Sequence, residues 1–299
     1  MKVPQVDLNI QLLGKTQEQV IDKALKLITN HKISKKMIAT YAITNDEIVD
    51  NLVEFLNMKD SLDFPQVYPW IYNISRVNGV LVFKRLAAKN NYSKNITRAI
   101  NLLYTQISNP NIDDKVSKIK QTTNERKNIV AKIKILRDAL EQNKSVEFLK
   151  SMYLYGKRAS GKTYICSAIA NTFATRGIST VYVKSRELFT FLTKKLNDNR
   201  ESYNEIISDL QNVSLLIVDD LGLEKANDWF RYEVLSSIFK TRNENNKLTI
   251  IASPLNWKEL EESYLAEAKT PKQKYSAESL VYEIKQKKDE YCVNDWIDF

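Results

Sequence analysis

Along residues 17–28 the apolar side chains Val20, Ile21, Leu25 and Ile28 return at helical spacing, and Ile48, Val49, Leu52, Val53, Phe55 and Leu56 do so again behind the cap-forming run "TNDE". Two amphipathic helices are expected there. The pattern then changes. In "FPQVYPWIYNISRVNGVLVFKRL" β-branched and aromatic residues flank Asn78-Gly79, a dipeptide that suits a two-residue turn, and a β-hairpin is expected. Turn formers crowd "SNPNIDDK", which reads as a loop or linker over 108–115.

From about residue 146 short apolar runs alternate with helical stretches, the rhythm of a parallel sheet covered by helices. Strands are expected at 152–155, 180–183, 215–218, 249–252 and 291–293. Helices are expected at 162–176, 186–197, 203–211, 227–245 and 256–265, the last opened by a capping box of Asn256 and Glu259. The fold class is α/β, preceded by a small mixed, mainly helical N-terminal domain. Residues 1–110 form that first domain, 111–145 a basic linker or helix, and 146–299 the sheet domain.

Net charge is +9 over 299 residues, and its position says more than its size. Residues 84–144 hold fourteen basic against five acidic side chains, whereas 1–83 balance at nine each and 145–299 at twenty-two each. Such a stretch suits phosphates or an acidic partner, and equally a solvated helix face. Tyr92 and Tyr104 lie within it and suit base stacking or core packing alike. Polar residues interrupt the opening "MKVPQVDLNIQLLGK", and no run approaches the length of a membrane span, so the expected location is the cytoplasm, with no membrane partner. Cys166, Cys292 and the single His31 cannot build a disulfide framework or a Cys/His zinc site. His31, in "NHKISKK", reads as a surface residue at a helix end.

The chain owns six glycines, and two stand in "YGKRASGKTY". Gly156, Lys157, Arg158, Ala159, Ser160, Gly161, Lys162 and Thr163 satisfy Gly-x-x-x-x-Gly-Lys-Thr between a predicted strand and a predicted helix, the P-loop pattern. Glycine lets the main chain curl so that N–H groups point at phosphate oxygens, and the helix start adds partial positive charge. Lys162 would reach the β and γ phosphates, Thr163 would ligate Mg²⁺, and Tyr164 opens the helix beside them. ATP and Mg²⁺ are the expected cofactors. A second Gly14-Lys15-Thr16 has Asn9 where the first glycine belongs, and is read as a helix cap. "LLIVDDLG" is a buried strand delivering Asp219 and Asp220 to its carboxyl end, on a neighbouring strand, where acids orient Mg²⁺ and the attacking water.

With "YLYGKRASGKTYICSAIAN", "LLIVDDLGLEKANDWFRYEVL", "KTRNE" and "TIIASPLNWKELEE", the chain resembles the DnaC/DnaI helicase loaders of the AAA+ ATPases, over about 150–265. The resemblance implies a P-loop domain without a C-terminal lid, an N-terminal domain that binds a DnaB-type replicative helicase, single-stranded DNA as a further partner, and self-association through the AAA+ domain. By position, Asp219 matches the Mg²⁺ carboxylate, Asp220 the catalytic carboxylate, Glu224 an acid after the turn, and Arg231 and Arg242 arginines on the next helix. The family's zinc-binding cysteines are missing. Pro254 stands where a polar Asn senses the γ-phosphate, with the Ser253 hydroxyl as a substitute. No arginine follows Arg242, leaving Lys285, Lys287 and Lys288 to supply charge. ATP binding is therefore expected with weak hydrolysis. Competing expectations are an IstB-like transposition ATPase and a nucleotide-sensing adaptor with negligible turnover.

Overall fold

The computed structural model describes residues 16–142 and 144–294, and the chain divides into two compact units at Ile96/Thr97. The first contains α1 (Gln17–Asn30), α2 (Lys32–Thr40), α3 (Asn45–Asp50), α4 (Leu52–Asp63) and the hairpin β1 (Trp70–Val77) and β2 (Val80–Ala87). Helix α5 (Asn91–Asn101) crosses the division.

Thr16 caps α1 in a capping box with Gln19, as a cap reading of Gly14-Lys15-Thr16 requires, while Gly14 and Lys15 lie outside the described residues. His31 is half-buried and caps α2: its Nδ1 accepts from the Ser34 amide, and Nε2 pairs with Asp63. The expected Asn78-Gly79 turn takes φ values of 51° and 82°, and closes a register running from Val77↔Val80 to Trp70↔Ala87. Inward-facing Tyr72, Ile74 and Leu81 pack on Ile28, Ile48, Phe55 and Met58. Arg76 ties the hairpin to the helices through both Glu47 oxygens at 2.7 and 2.8 Å and through the Tyr41 carbonyl. Apolar packing and this clamp hold a unit that has no cysteine.

The second unit begins with β3 (Leu102–Leu103) and α6 (Asn124–Glu141), then β4 (Ser151–Tyr155), α7 (Lys162–Thr175), β5 (Thr180–Lys184), α8 (Ser185–Asp198), α9 (Arg200–Asn212) and β6 (Leu215–Asp219). A π-helical turn, Trp229–Leu235, continues into α10 (Ser236–Glu244), followed by β7 (Leu248–Ser253), α11 (Trp257–Glu267), α12 (Pro271–Lys285) and β8 (Lys288–Cys292). The strands form one parallel sheet in the order β3-β5-β6-β7-β4-β8.

Alternate strand residues serve opposite faces, as a two-sided sheet demands. Met152, Leu154, Leu215 and Ile217 pack with Ile129, Ile133 and Leu136 of α6 and Ile165, Ile169 and Phe173 of α7. Tyr153, Val181, Leu216 and Ile251 pack on the other face with Leu188, Leu210, Phe230, Ile238 and Leu280.

Three differences from the sequence expectations have physical causes. Residues 97–145 belong to the sheet unit, because α6 buries an apolar stripe on the sheet while Lys127 and Lys134 face solvent, so part of the basic stretch is the wet side of a core helix. Helix α12 is not among the helices that the residue pattern predicts. The last strand starts three residues earlier, at Lys288, because pairing with β4 begins at Ser151↔Lys288.

Candidate nucleotide-binding site

Strand β4 ends at Tyr155 and the chain curls at once: Gly156, Ala159 and Gly161 have φ values of 144°, 61° and 90°, and Gly161 is the left-handed N-cap of α7. A Cβ at Gly156 would lie 2.2 Å from the Val293 carbonyl oxygen, so the loop passes directly under the chain leaving β8. The Lys157 amide donates to Asn294 Oδ1 at 3.0 Å, and Val293 N to the Tyr155 carbonyl at 2.7 Å. Lys157, Arg158, Ala159 and Thr163 form an exposed rim around buried Ser160 and Lys162. Lys162 Nζ folds back onto its own loop, donating to the carbonyls of Gly156 at 2.7 Å and Lys157 at 2.8 Å. Burial lowers its pKa, against the pull of Asp219 and Asp220.

One side chain outside the motif braces the loop. Arg126 of α6 is 2% exposed and donates to the Ser160 carbonyl at 2.6 Å. Tyr164 exchanges hydrogen bonds with the Lys115 backbone at 3.2 and 3.4 Å.

Asp219 ends β6, with Asp220 next to it in the left-handed region at φ 58°. The strand order places β7 between β4 and β6, so the acids come from the next strand but one and not from a direct neighbour. Asp219 is fully buried; the Tyr182 hydroxyl of β5 donates to its Oδ2 at 2.9 Å, and the Thr163 side chain is near enough to lower its pKa. Burial, then the Asp220 charge, raises the Asp219 pKa despite both. Asp219 and Thr163 thus bring the two motifs near one another across the sheet. Thr163 and Asp219 are hard oxygen donors with a second carboxylate adjacent, a set that fits Mg²⁺ completed by phosphate and water oxygens. Tyr182 was not singled out from sequence, since its role arises from the pairing Tyr182↔Ile217, two residues from the strand end.

The family model described as IstB-like ATP binding protein matches residues 125–271. The replicative helicase loader DnaI of Bacillus subtilis is 29% identical over 135 residues, covering 45% of this chain and 43% of that protein. The loader DnaC of Escherichia coli K12 is 22% identical over 112 residues, covering 38% of this chain and 45% of that protein. The chain is thus similar in sequence to the DnaI and DnaC helicase loaders over 135 and 112 residues. It spans less than half the length of these relatives. A crystal structure of DnaI superposes with a TM-score of 0.53 at 24% identity, covering 64% of this chain and 96% of that one, which shows a shared fold.

Similarity to these loaders directs attention to the residues carried over by position, and several stand elsewhere than at the loop. Glu224 is buried, accepting from Gly222 N at 2.7 Å, Ser185 Oγ at 3.1 Å, Arg231 Nε at 2.9 Å and Tyr264 OH at 2.8 Å. Arg231 also pairs with Glu267, so its guanidinium is held inside this network. Arg242 lies at the opposite strand ends, donating to Thr249 Oγ1 and to the carbonyls of Leu210, Val213 and Leu248. Lys288 opens β8 at that same far end, Lys287 Nζ is bound to the Asn243 carbonyl, and Lys285 pairs with Glu261. None of the three lysines replaces an arginine at the loop. The buried Ser253 hydroxyl is taken as well: it donates to the Leu221 carbonyl at 2.7 Å and accepts from Leu255 N, pinning the turn after Asp220. Tyr104 spends its hydroxyl on Asp209, whereas Tyr92 is exposed. Among the described residues no helix is long and apolar enough to cross a membrane.

Proposed function

We propose that this chain is an ATP- and Mg²⁺-binding helicase loader, whose second unit binds the nucleotide at residues 156–164 and whose first unit engages a replicative DnaB-type helicase for placement on single-stranded DNA. The observation that carries this reading is the curled loop with Lys162 at its centre and the Thr163–Asp219 pair beside it. Bound MgATP would supply a polarised phosphoanhydride. The N–H groups of 159–163 and the start of α7 would stabilise its negative charge, Lys162 would exchange its carbonyl partners for phosphate oxygens, and Thr163 and Asp219 would hold the metal. Asp220, oriented by its left-handed backbone, is assigned to the attacking water.

Burial of Arg231 and Arg242 in internal hydrogen bonds supports slow turnover in the isolated chain, with ATP acting chiefly as a switch. The IstB-like match supports a second reading, an ATPase that serves a transposase. Co-purification of the intact chain with the cell's replicative helicase, in ATP and in ADP, separates the two. Nucleotide-dependent capture of that helicase is expected. Capture of a transposase and not of the helicase would favour the second reading. Phosphate release that Asp220→Asn abolishes would exclude a purely passive switch.

A further inference from the structure

The turn that follows β6 is held in a conformation that most residues avoid. Asp220 and Gly222 take φ values of 58° and 89°, and an aspartate stays left-handed only where its surroundings over-determine it. Backbone pins one side of the turn, Leu221 N donating to the Ala252 carbonyl and Leu223 N to the Asp220 carbonyl. On the other side stands Glu224, whose side chain is fully buried.

Both oxygens of that carboxylate are engaged. Its Oε2 accepts from Gly222 N at 2.7 Å and lies 3.1 Å from Ser185 Oγ, which is also 2.9 Å from the Asp220 carbonyl oxygen. Its Oε1 accepts from Arg231 Nε at 2.9 Å and from Tyr264 OH at 2.8 Å. Ser185 opens α8, Arg231 belongs to the π-helical turn and Tyr264 to α11, so one carboxylate ties three elements to the turn. A buried carboxylate is costly unless its partners hold it. Arg231 has a second counter-charge in Glu267 and lies over the Tyr264 ring at 4.3 Å from its centroid. Neutralising Arg231 therefore does not account for Oε2, which serves the turn.

We propose that Glu224 is a positioning residue for Asp220: through Gly222 N and Ser185 it fixes the turn so that the Asp220 carboxylate is aimed at the attacking water. This rests on the nucleotide-site reading of residues 156–164. Glu224 acts through the turn and not on the nucleotide. Displacing a reacting group by about 1 Å costs up to about a hundredfold in rate while contacts to bound substrate persist. Loss of Glu224 should thus appear in kcat and not in affinity.

The test uses the intact chain with Mg²⁺ and ATP, and two variants. Glu224→Gln keeps the shape but sets an amide against donors, and Ser185→Ala removes one hydroxyl. Each should lower kcat for phosphate release about ten- to a hundredfold. KM and the affinity for a fluorescent ATP analogue should stay within about twofold. In an Asp220→Asn background neither should change the residual rate, although each should lower the melting temperature as it does with Asp220 in place. If Glu224→Gln does not fold, Ser185→Ala carries the test. Crystal structures of the folded variants should show the 220–223 turn displaced. Unchanged kcat in folded variants, or an Asp220 that keeps its backbone and carboxylate position in them, would overturn the proposal. A wild type that does not hydrolyse ATP, or whose hydrolysis survives Asp220→Asn, would sink the ATPase reading instead, and the crystal structures would still decide whether Glu224 holds Asp220.

Discussion

Asp219 and Lys288 are both buried and ionisable, and both make the folded protein less stable when charged. The pKa of Asp219 is raised, so its contribution is fully favourable below the ordinary carboxylate range and is lost as pH climbs through the folded value. Asp219→Asn should therefore stabilise the nucleotide-free protein by about 1 kcal/mol while removing Mg²⁺-dependent turnover, a difference that thermal melts and phosphate release read together. Lys288 works in the opposite sense, its folded value lying at about 7 against an ordinary 10.5. The folded chain holds fewer protons than the unfolded one between those values, so its contribution to stability rises with pH across that window. Denaturant midpoints at pH 7 and pH 9.5 should show the rise in wild type relative to Lys288→Met, and parallel curves would count against it. Tyr182→Phe removes a donor from a buried carboxylate and should cost about 1–2 kcal/mol, with weaker Mn²⁺ binding in the presence of ADP as a readout apart from turnover. The P-loop residues were legible in the chain because eight consecutive positions carry the pattern. Tyr182 was not, because only the pairing of β5 with β6 brings it to Asp219.

At the level of elements, apolar runs announced β4, β5, β6 and β7, whose buried residues are nearly continuous. Helix α12 escaped notice although Thr270, Pro271 and Gln273 form a capping box with proline in the first turn; its basic, tyrosine-bearing outer side hides the stripe of Ala277, Leu280, Val281 and Ile284. Strand order was out of reach, since spacing along a chain does not say which strands are neighbours, and that is why Asp219 was expected one strand closer to the loop. The same topology explains the glycine at 156. Gly156→Ala would push a methyl group into the Val293 carbonyl at a φ of 144°, and should destabilise the second unit by about 2–3 kcal/mol. Tm values and nucleotide affinity measured on one preparation check this. An unshifted Tm would mean that the segment after β8 does not sit on the loop.

Across the whole molecule, two units each own a buried core, and the proposed nucleotide site lies in the second. Calorimetry of the intact chain should give two transitions, and MgATP at a hundred times its Kd should stabilise one of them by about 2.7 kcal/mol while leaving the other in place. The first unit illustrates the limit of reading by motif: its hairpin followed from Asn78-Gly79, yet nothing local in residues 16–96 names a partner. The central claim is that the loop 156–163 grips a triphosphate through Lys162. It is tested most directly by titrating wild type and Lys162→Ala with a fluorescent ATP analogue and Mg²⁺, with melting curves recorded on the same samples. The prediction is saturable binding in wild type and at least about a hundredfold weaker binding in a variant that melts no lower, since burial already disfavours the lysine charge. Equal affinity in two equally folded proteins would contradict it.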